Sequence, residues 1–171
     1  MHLLEQYKVL FSKEEIKQRV LAIAHQINTD YKGKTLDIIC LVNSAQFFCA
    51  DLVRELTITT RLHTLGFSSY LNGNESGEVR ITLDINEPLY NCHLLVIEGI
   101  IISGRTPRYI IDLLKVRRPA SIAMCALGIK PALLSEELPI HYSAFEFGQE
   151  IAVGYGIGSV TEKTLSAIIE K

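Results

Sequence analysis

Glu98, Ser103, Gly104, Arg105 and Thr106 are the residue types from which an anion site is built, and they fall within one short stretch, LLVIEGIIISGRTPRYIIDLL, from Leu94 to Leu114. Leu94 to Ile97 is an aliphatic run of the length of a central parallel strand, and Pro107 stands where the first turn of a helix tolerates it. A strand, a turn and a helix in succession would aim free backbone N–H groups, a conformationally permissive glycine and two hydroxyls into one concavity at a helix N-terminus. That chemistry suits a phosphate. Read alone, the Ser-Gly-x-Thr turn is equally a plain helix cap. Arg105 and Arg108 lie in the first helical turn, where the helix dipole disfavours cations, which favours an anion nearby. The helix itself would bury Ile110, Leu113 and Leu114 with Tyr109.

The elements that must hold this turn can be read in order. Ser12-Lys13-Glu14-Glu15 is a capping-box sequence, followed by Ile16, Val20, Ile23, Ala24 and Ile27 at helical spacing, which predicts a helix from Lys13 to about Asp30. Leu36 to Val42 reads as a buried strand, Asn43 and Ser44 as a turn, and Ala45 to Leu56 as a helix. Thr57 to Ser69 is β-prone, interrupted by Gly66, and Val79 to Leu83 alternates as a second strand. Between them lies a polar, glycine-rich stretch from Ser69 to Glu78. Composition leaves a closing lid and an ordinary surface loop equally open. Ser121 to Ile129 and Ile140 to Phe147 read as strands, Ala152 to Tyr155 as a short last one, and Glu162 to Glu170 as a terminal helix. Strands alternating with helices, most of the strands apolar throughout, predict one α/β domain over residues 1–171 with a mainly parallel, twisted sheet. Ligands of such sheets bind beyond the carboxyl ends of the strands.

The formal charge of −2, from 17 basic and 19 acidic residues, gives no cationic surface for a nucleic acid. Cys40, Cys49, Cys92 and Cys125 are widely spaced without a CxxC pair, as expected of reduced residues in a cytoplasmic protein. No apolar run approaches the length of a membrane span, and no secretory leader is read at the N-terminus. His63, His93 and His141 lack ligand spacing and read as strand-face or surface residues.

With an aliphatic strand, an acid and a Ser-Gly-x-Thr loop in sequence, the chain resembles the type I phosphoribosyltransferases. The order of segments from the first helix to about Tyr155 is similar to the hypoxanthine-guanine branch of that fold. Ser69-Tyr70 before Gly77-Glu78-Val79 resembles the family's active-site loop, Lys130-Pro131 its purine-binding lysine, and Phe145-Glu146 through Val153-Gly154-Tyr155 its FE…VGY segment. The resemblance implies a parallel sheet with a small hood from the terminal segments. It also implies transfer of phosphoribose from its pyrophosphate to hypoxanthine or guanine, with Mg2+ neutralising the pyrophosphate, in a homo-oligomer (dimer or tetramer). Carried over by position, Ser103, Gly104, Arg105 and Thr106 would bind the 5-phosphate, Glu98 a ribose hydroxyl, Lys130 the purine 6-oxo group, and Ile151 with Ala152 the purine face. Asn43 and Ser44 would form the pyrophosphate turn.

Several family groups are replaced. The second and third acids of the motif are Gly99 and Ile102, the latter at the position that handles the purine N7 proton. Val42-Asn43-Ser44 stands for Leu-Lys-Gly, Gly158 for a metal-binding aspartate, Thr164 for a pyrophosphate arginine, and Ile151 for a stacking aromatic. The losses fall on metal, pyrophosphate and proton transfer, while the monophosphate features survive. Impaired transfer is therefore expected, with a non-catalytic nucleotide-binding regulator or a partner subunit of an active paralogue as the alternatives.

Overall fold

The computed structural model describes residues 7–42, 44–70, 78–158 and 166–170, with the side chains of Ser69, Tyr70 and Glu78 excepted. Asn43, Thr164, the 71–77 stretch and the side chains of the active-site-loop residues Ser69 and Tyr70 thus lie outside the described residues.

Helix α1 (Lys13–Asp30) starts where the sequence places it. Ser12 Oγ accepts from the Glu15 backbone N–H at 3.2 Å, and Glu15 Oε2 accepts from the Ser12 N–H at 2.8 Å, so two otherwise orphaned donors are satisfied reciprocally. Ile16, Val20, Ile23, Ala24 and Ile27 form its buried face. Strands β2 (Thr35–Val42), β3 (Thr59–Tyr70), β4 (Glu78–Leu83), β5 (His93–Ile101), β6 (Ser121–Ile129) and β7 (Ile140–Glu146) form one sheet in the order β4-β3-β2-β5-β6-β7. All neighbours are parallel except β3 and β4. Gly66 does not break β3. It marks a shift of register against β4, where a Cβ would meet Thr82 Oγ1 at 2.9 Å.

Strand β5 is central because both its faces are covered. Leu95 and Ile97 pack into a core with α1 and α2 (Gln46–Arg54), while Leu94 and Val96 pack opposite, with Ile110, Ile111 and Leu114 of α3 (Arg105–Lys115). Burial on both faces is the reason β2, β5 and β6 are apolar without alternation.

A second sheet of three short antiparallel strands, in the order β1 (Val9–Phe11), β9 (Ile168–Glu170), β8 (Ala152–Val153), supplies the small hood. Here the expectation of a helix to Glu170 is corrected. Ile168 and Ile169 are fully buried in β9, paired with β1 and β8, because adjacent β-branched residues with ready-made edge partners gain more from ladder pairing than from a short helix.

Phe11 joins the hood to the main sheet, stacked on Phe145 with ring centroids 3.8 Å apart and edge-on to Phe147 at 5.4 Å. The Phe147 ring lies directly over Gly128, where a Cβ would come within 2.0 Å of Cε2. Gly128→Ala must push this ring out of the core, and a loss of about 3 kcal/mol, the upper part of the usual overpacking range, is expected in urea denaturation.

Candidate functional site

Three loops meet at the carboxyl edge of β2, β5 and β6. The loop after β5 holds the anion-site residues. Gly104 has φ +84°, and a Cβ there would also press on Leu134 Cδ1 at 3.0 Å and Glu136 Cβ at 3.1 Å, so glycine is required for both backbone and space. Ser103 O accepts from the backbone N–H and the hydroxyl of Ser135, both at 3.1 Å, and this anchors the turn to the segment after β6. Ser103 Oγ lies 3.5 Å from the Arg105 N–H, and Arg108 N–H closes the first helical bond to Gly104 O at 2.9 Å. Pro107 has no N–H to offer. The Thr106 amide, with the Arg105 amide held only by its long 3.5 Å contact to Ser103 Oγ, is therefore available at the positive end of α3.

Glu98 is 5% exposed. Its Oε1 accepts from Ser44 Oγ at 2.8 Å and from the Gly99 N–H at 2.7 Å. Burial pushes its carboxyl above the usual glutamate range, and these two bonds pull the other way without cancelling it. Ion pairing of Glu98 with Arg105 or Arg108 is not what the fold provides: Arg108 pairs instead with Asp112 at 3.1 Å and donates to Glu137 O. Asp112 is shared with Lys115, and Asp84 is taken by Arg117, so neither aspartate replaces a lost site acid.

Lys130, 8% exposed, opens the third loop directly after β6. Its Nζ donates to Glu150 O at 2.7 Å and its backbone N–H to Ile101 O at 2.9 Å, which ties the β6 turn to β5 and to the segment before β8. Ala152 is buried in β8, whereas Ile151 is 64% exposed. Ile102, 50% exposed, stands at the entrance to the Ser103–Thr106 turn and belongs to neither core.

A protein-held divalent metal needs converging oxygen donors. Gly158 has φ +98°, and a Cβ on it would lie 2.9 Å from Val153 Cγ1, so this backbone rejects the aspartate of the family pattern. Among the described residues, no group of three or more His, Cys, Asp or Glu side chains is arranged to hold a metal ion. The donor set among the described residues does not fit a resident Mg2+. Ser135, Glu150 and Gly156 were not recognised as site-building residues from sequence. The run Gly154, Gly156, Gly158, all at positive φ, was the available signal for the last of them.

Residues 6–158 match the phosphoribosyl transferase domain, and the fold is that of the phosphoribosyltransferase class. The hypoxanthine phosphoribosyltransferase of Haemophilus influenzae is 33% identical over 153 residues, covering 87% of this chain and 86% of that protein. A hypoxanthine-guanine phosphoribosyltransferase structure from Bacillus anthracis superposes with TM-score 0.91 at 29% identity, covering 96% of this chain and 98% of that one. The chain belongs to the hypoxanthine-guanine phosphoribosyltransferase family of purine salvage. It is also 34% identical over 151 residues to the bifunctional protein TilS/HprT of Listeria monocytogenes, and it spans 23% of that longer protein. No described helix is long and apolar enough to cross a membrane.

Proposed function

We propose that this chain binds a 6-oxopurine ribonucleoside 5′-monophosphate, or its base and phosphoribose halves, and that it transfers phosphoribose slowly or not at all. Position 102 carries the reading. An aliphatic side chain at the mouth of the phosphate turn cannot accept, donate or relay the proton of the purine ring, and the remaining acid on that strand, Glu98, is buried and committed to Ser44 and Gly99.

Binding needs less than transfer. The first amides of α3 with the Ser103 and Thr106 hydroxyls suit the 5′-phosphate. Lys130 Nζ already sits on a peptide carbonyl, Glu150 O, and a purine 6-oxo oxygen is the same kind of acceptor. Ile151 is free to cover a purine face by dispersion, without ring stacking. Mg2+ has no protein ligand set in this reading, so GMP and IMP bind equally well in EDTA.

The deciding experiment is formation of IMP and GMP from phosphoribosyl pyrophosphate, Mg2+ and base at high protein concentration over hours, with calorimetric titration of GMP in parallel. Saturable binding without product supports the proposal. Turnover at the rate of an ordinary salvage enzyme refutes the slow-transfer part, and absence of GMP binding refutes the whole. Lys130→Met removes a charged donor while keeping the length of the stem. It weakens GMP binding by about tenfold or more, the worth of one hydrogen bond from a charged group, as the same titration reads.

A further inference from the structure

Four residues from three separate segments meet beside the phosphate turn: Ser44, the Glu98-Gly99 pair and Gly156. A Cβ placed on Gly99 would lie 2.7 Å from Ser44 Cβ and 2.9 Å from both Ser44 O and Ser44 Oγ. One placed on Gly156, at φ +95°, would lie 2.8 Å from Ser44 O. The β2–α2 turn is therefore seated between two bare backbones, and the serine fills the slot into which a side chain at 99 would project. From the same slot Ser44 Oγ donates to Glu98 Oε1 at 2.8 Å, and the Gly99 N–H donates to that oxygen at 2.7 Å. The carboxyl is thus folded back onto its own strand by a residue whose side chain fits only because position 99 has none.

We infer that Ser44 and Gly99 are a matched pair, and that Ser44 is a positioning residue that holds Glu98 against β5 and away from a ribose in the site. A nucleotide is then gripped by the phosphate turn and Lys130, without Glu98. A glycine at 44 releases one of the two bonds on Oε1 and removes the Cβ and Oγ contacts to a side chain at 99, leaving the position-44 backbone O, 2.9 Å from that Cβ, to shift. The substitutions at 44 and 99 act together: a carboxylate restored at 99 meets two fewer close contacts when the Ser44 side chain is removed as well, with only the position-44 backbone O left to move. The part concerning the ribose rests on the nucleotide site proposed above, whereas the pairing of 44 with 99 stands on packing alone.

Two cycles test it. In the first, GMP affinity is measured by calorimetry for the native chain, Glu98→Gln, Ser44→Gly and the double variant. Glu98→Gln is expected to change the native Kd by less than about twofold, and to weaken binding about tenfold in the Ser44→Gly background, the scale of one charge-assisted hydrogen bond. An equal effect of Glu98→Gln in both backgrounds, large or negligible, overturns the positioning role. The second cycle uses no nucleotide. Gly99→Ala is expected to lower Tm by roughly 5 °C or more in the native chain and by clearly less once Ser44 is glycine, the remainder being the contact with the position-44 backbone O, since only residues in contact depart from additivity. The same drop in both backgrounds overturns the pairing. If GMP fails to bind the native chain and the Ser44→Gly variant alike, the nucleotide reading falls, and the thermal cycle still decides the matched pair.

Discussion

Ile102→Asp raises the rate of IMP and GMP formation by about 10²-fold or more over the native chain, the lower end of what a positioned general acid or base contributes. The position suits the test. Ile102 is 50% exposed and packs in neither core, so its replacement stays within the roughly 0.5 kcal/mol typical of surface changes. A carboxylate so exposed is ionised at neutral pH, ready to accept a proton. The gain appears in kcat with KM for the base nearly constant, because the new group acts on the reacting proton rather than on ground-state binding. Steady-state assays with saturating phosphoribosyl pyrophosphate and Mg2+ measure both. If Ile102→Asp is as slow as the native chain, the deficit lies elsewhere, at the Ser44 turn or at Gly158. Gly99→Asp alone is the wrong comparison, since its Cβ collides with Ser44 before any chemistry is regained.

Asp37→Ala destabilises the protein by about 3 kcal/mol at neutral pH, the lower end of the cost of breaking a buried ion pair. Asp37 is 1% exposed near the amino end of β2, at the opposite edge of the sheet from the site. It accepts from Arg61 Nε at 2.9 Å and Nη2 at 2.7 Å, and its Oδ1 lies 2.8 Å from Nε2 of the buried His63. Nδ1 of that ring faces Glu87 at 3.5 Å. Arg61 is 55% exposed, so water screens its share, and most of the loss comes from leaving His63 unpartnered in the interior.

Burial pushes the Asp37 carboxyl up, but the hydrogen bonds and charges of Arg61 and His63 together outweigh it and hold the group below the usual 3.8. A depressed carboxylate pKa contributes stability above the unfolded value and loses it as pH falls through the folded one. Urea midpoints of the native chain and Asp37→Ala should therefore differ at pH 7, begin to approach one another only below about pH 4, and converge as pH falls through the depressed folded value. GMP affinity per folded molecule stays the same, because the network touches none of the three loops at the carboxyl edge.

His63 also shows where reading the chain stops. As a lone histidine in a threonine-rich strand it looks like an ordinary strand-face residue. Asp37 is brought to it by the parallel pairing of β2 with β3, and Glu87 by the connection between β4 and β5 that folds over the sheet edge. The terminal strand β9 has the same cause: Ile168 and Ile169 become a strand because β1, from the other end of the chain, lies beside them.

What is local was readable. The capping box of α1, the unalternating apolar runs of β2, β5 and β6, and the Ser103–Thr106 turn are each stated by neighbouring residues, since helix caps, burial on two faces and positive φ leave their mark within a few positions. The replacement of acids by Gly99 and Ile102 was equally visible as letters in a row. The consequence of that replacement was not. Ser44 and Glu98 are 54 residues apart, and Lys130 and Glu150 are 20 apart. Whether a carboxyl at the end of β5 faces a ligand or folds back on its strand depends on what fills the few ångströms beside it, and packing between distant segments settles that, beyond the reach of any local preference.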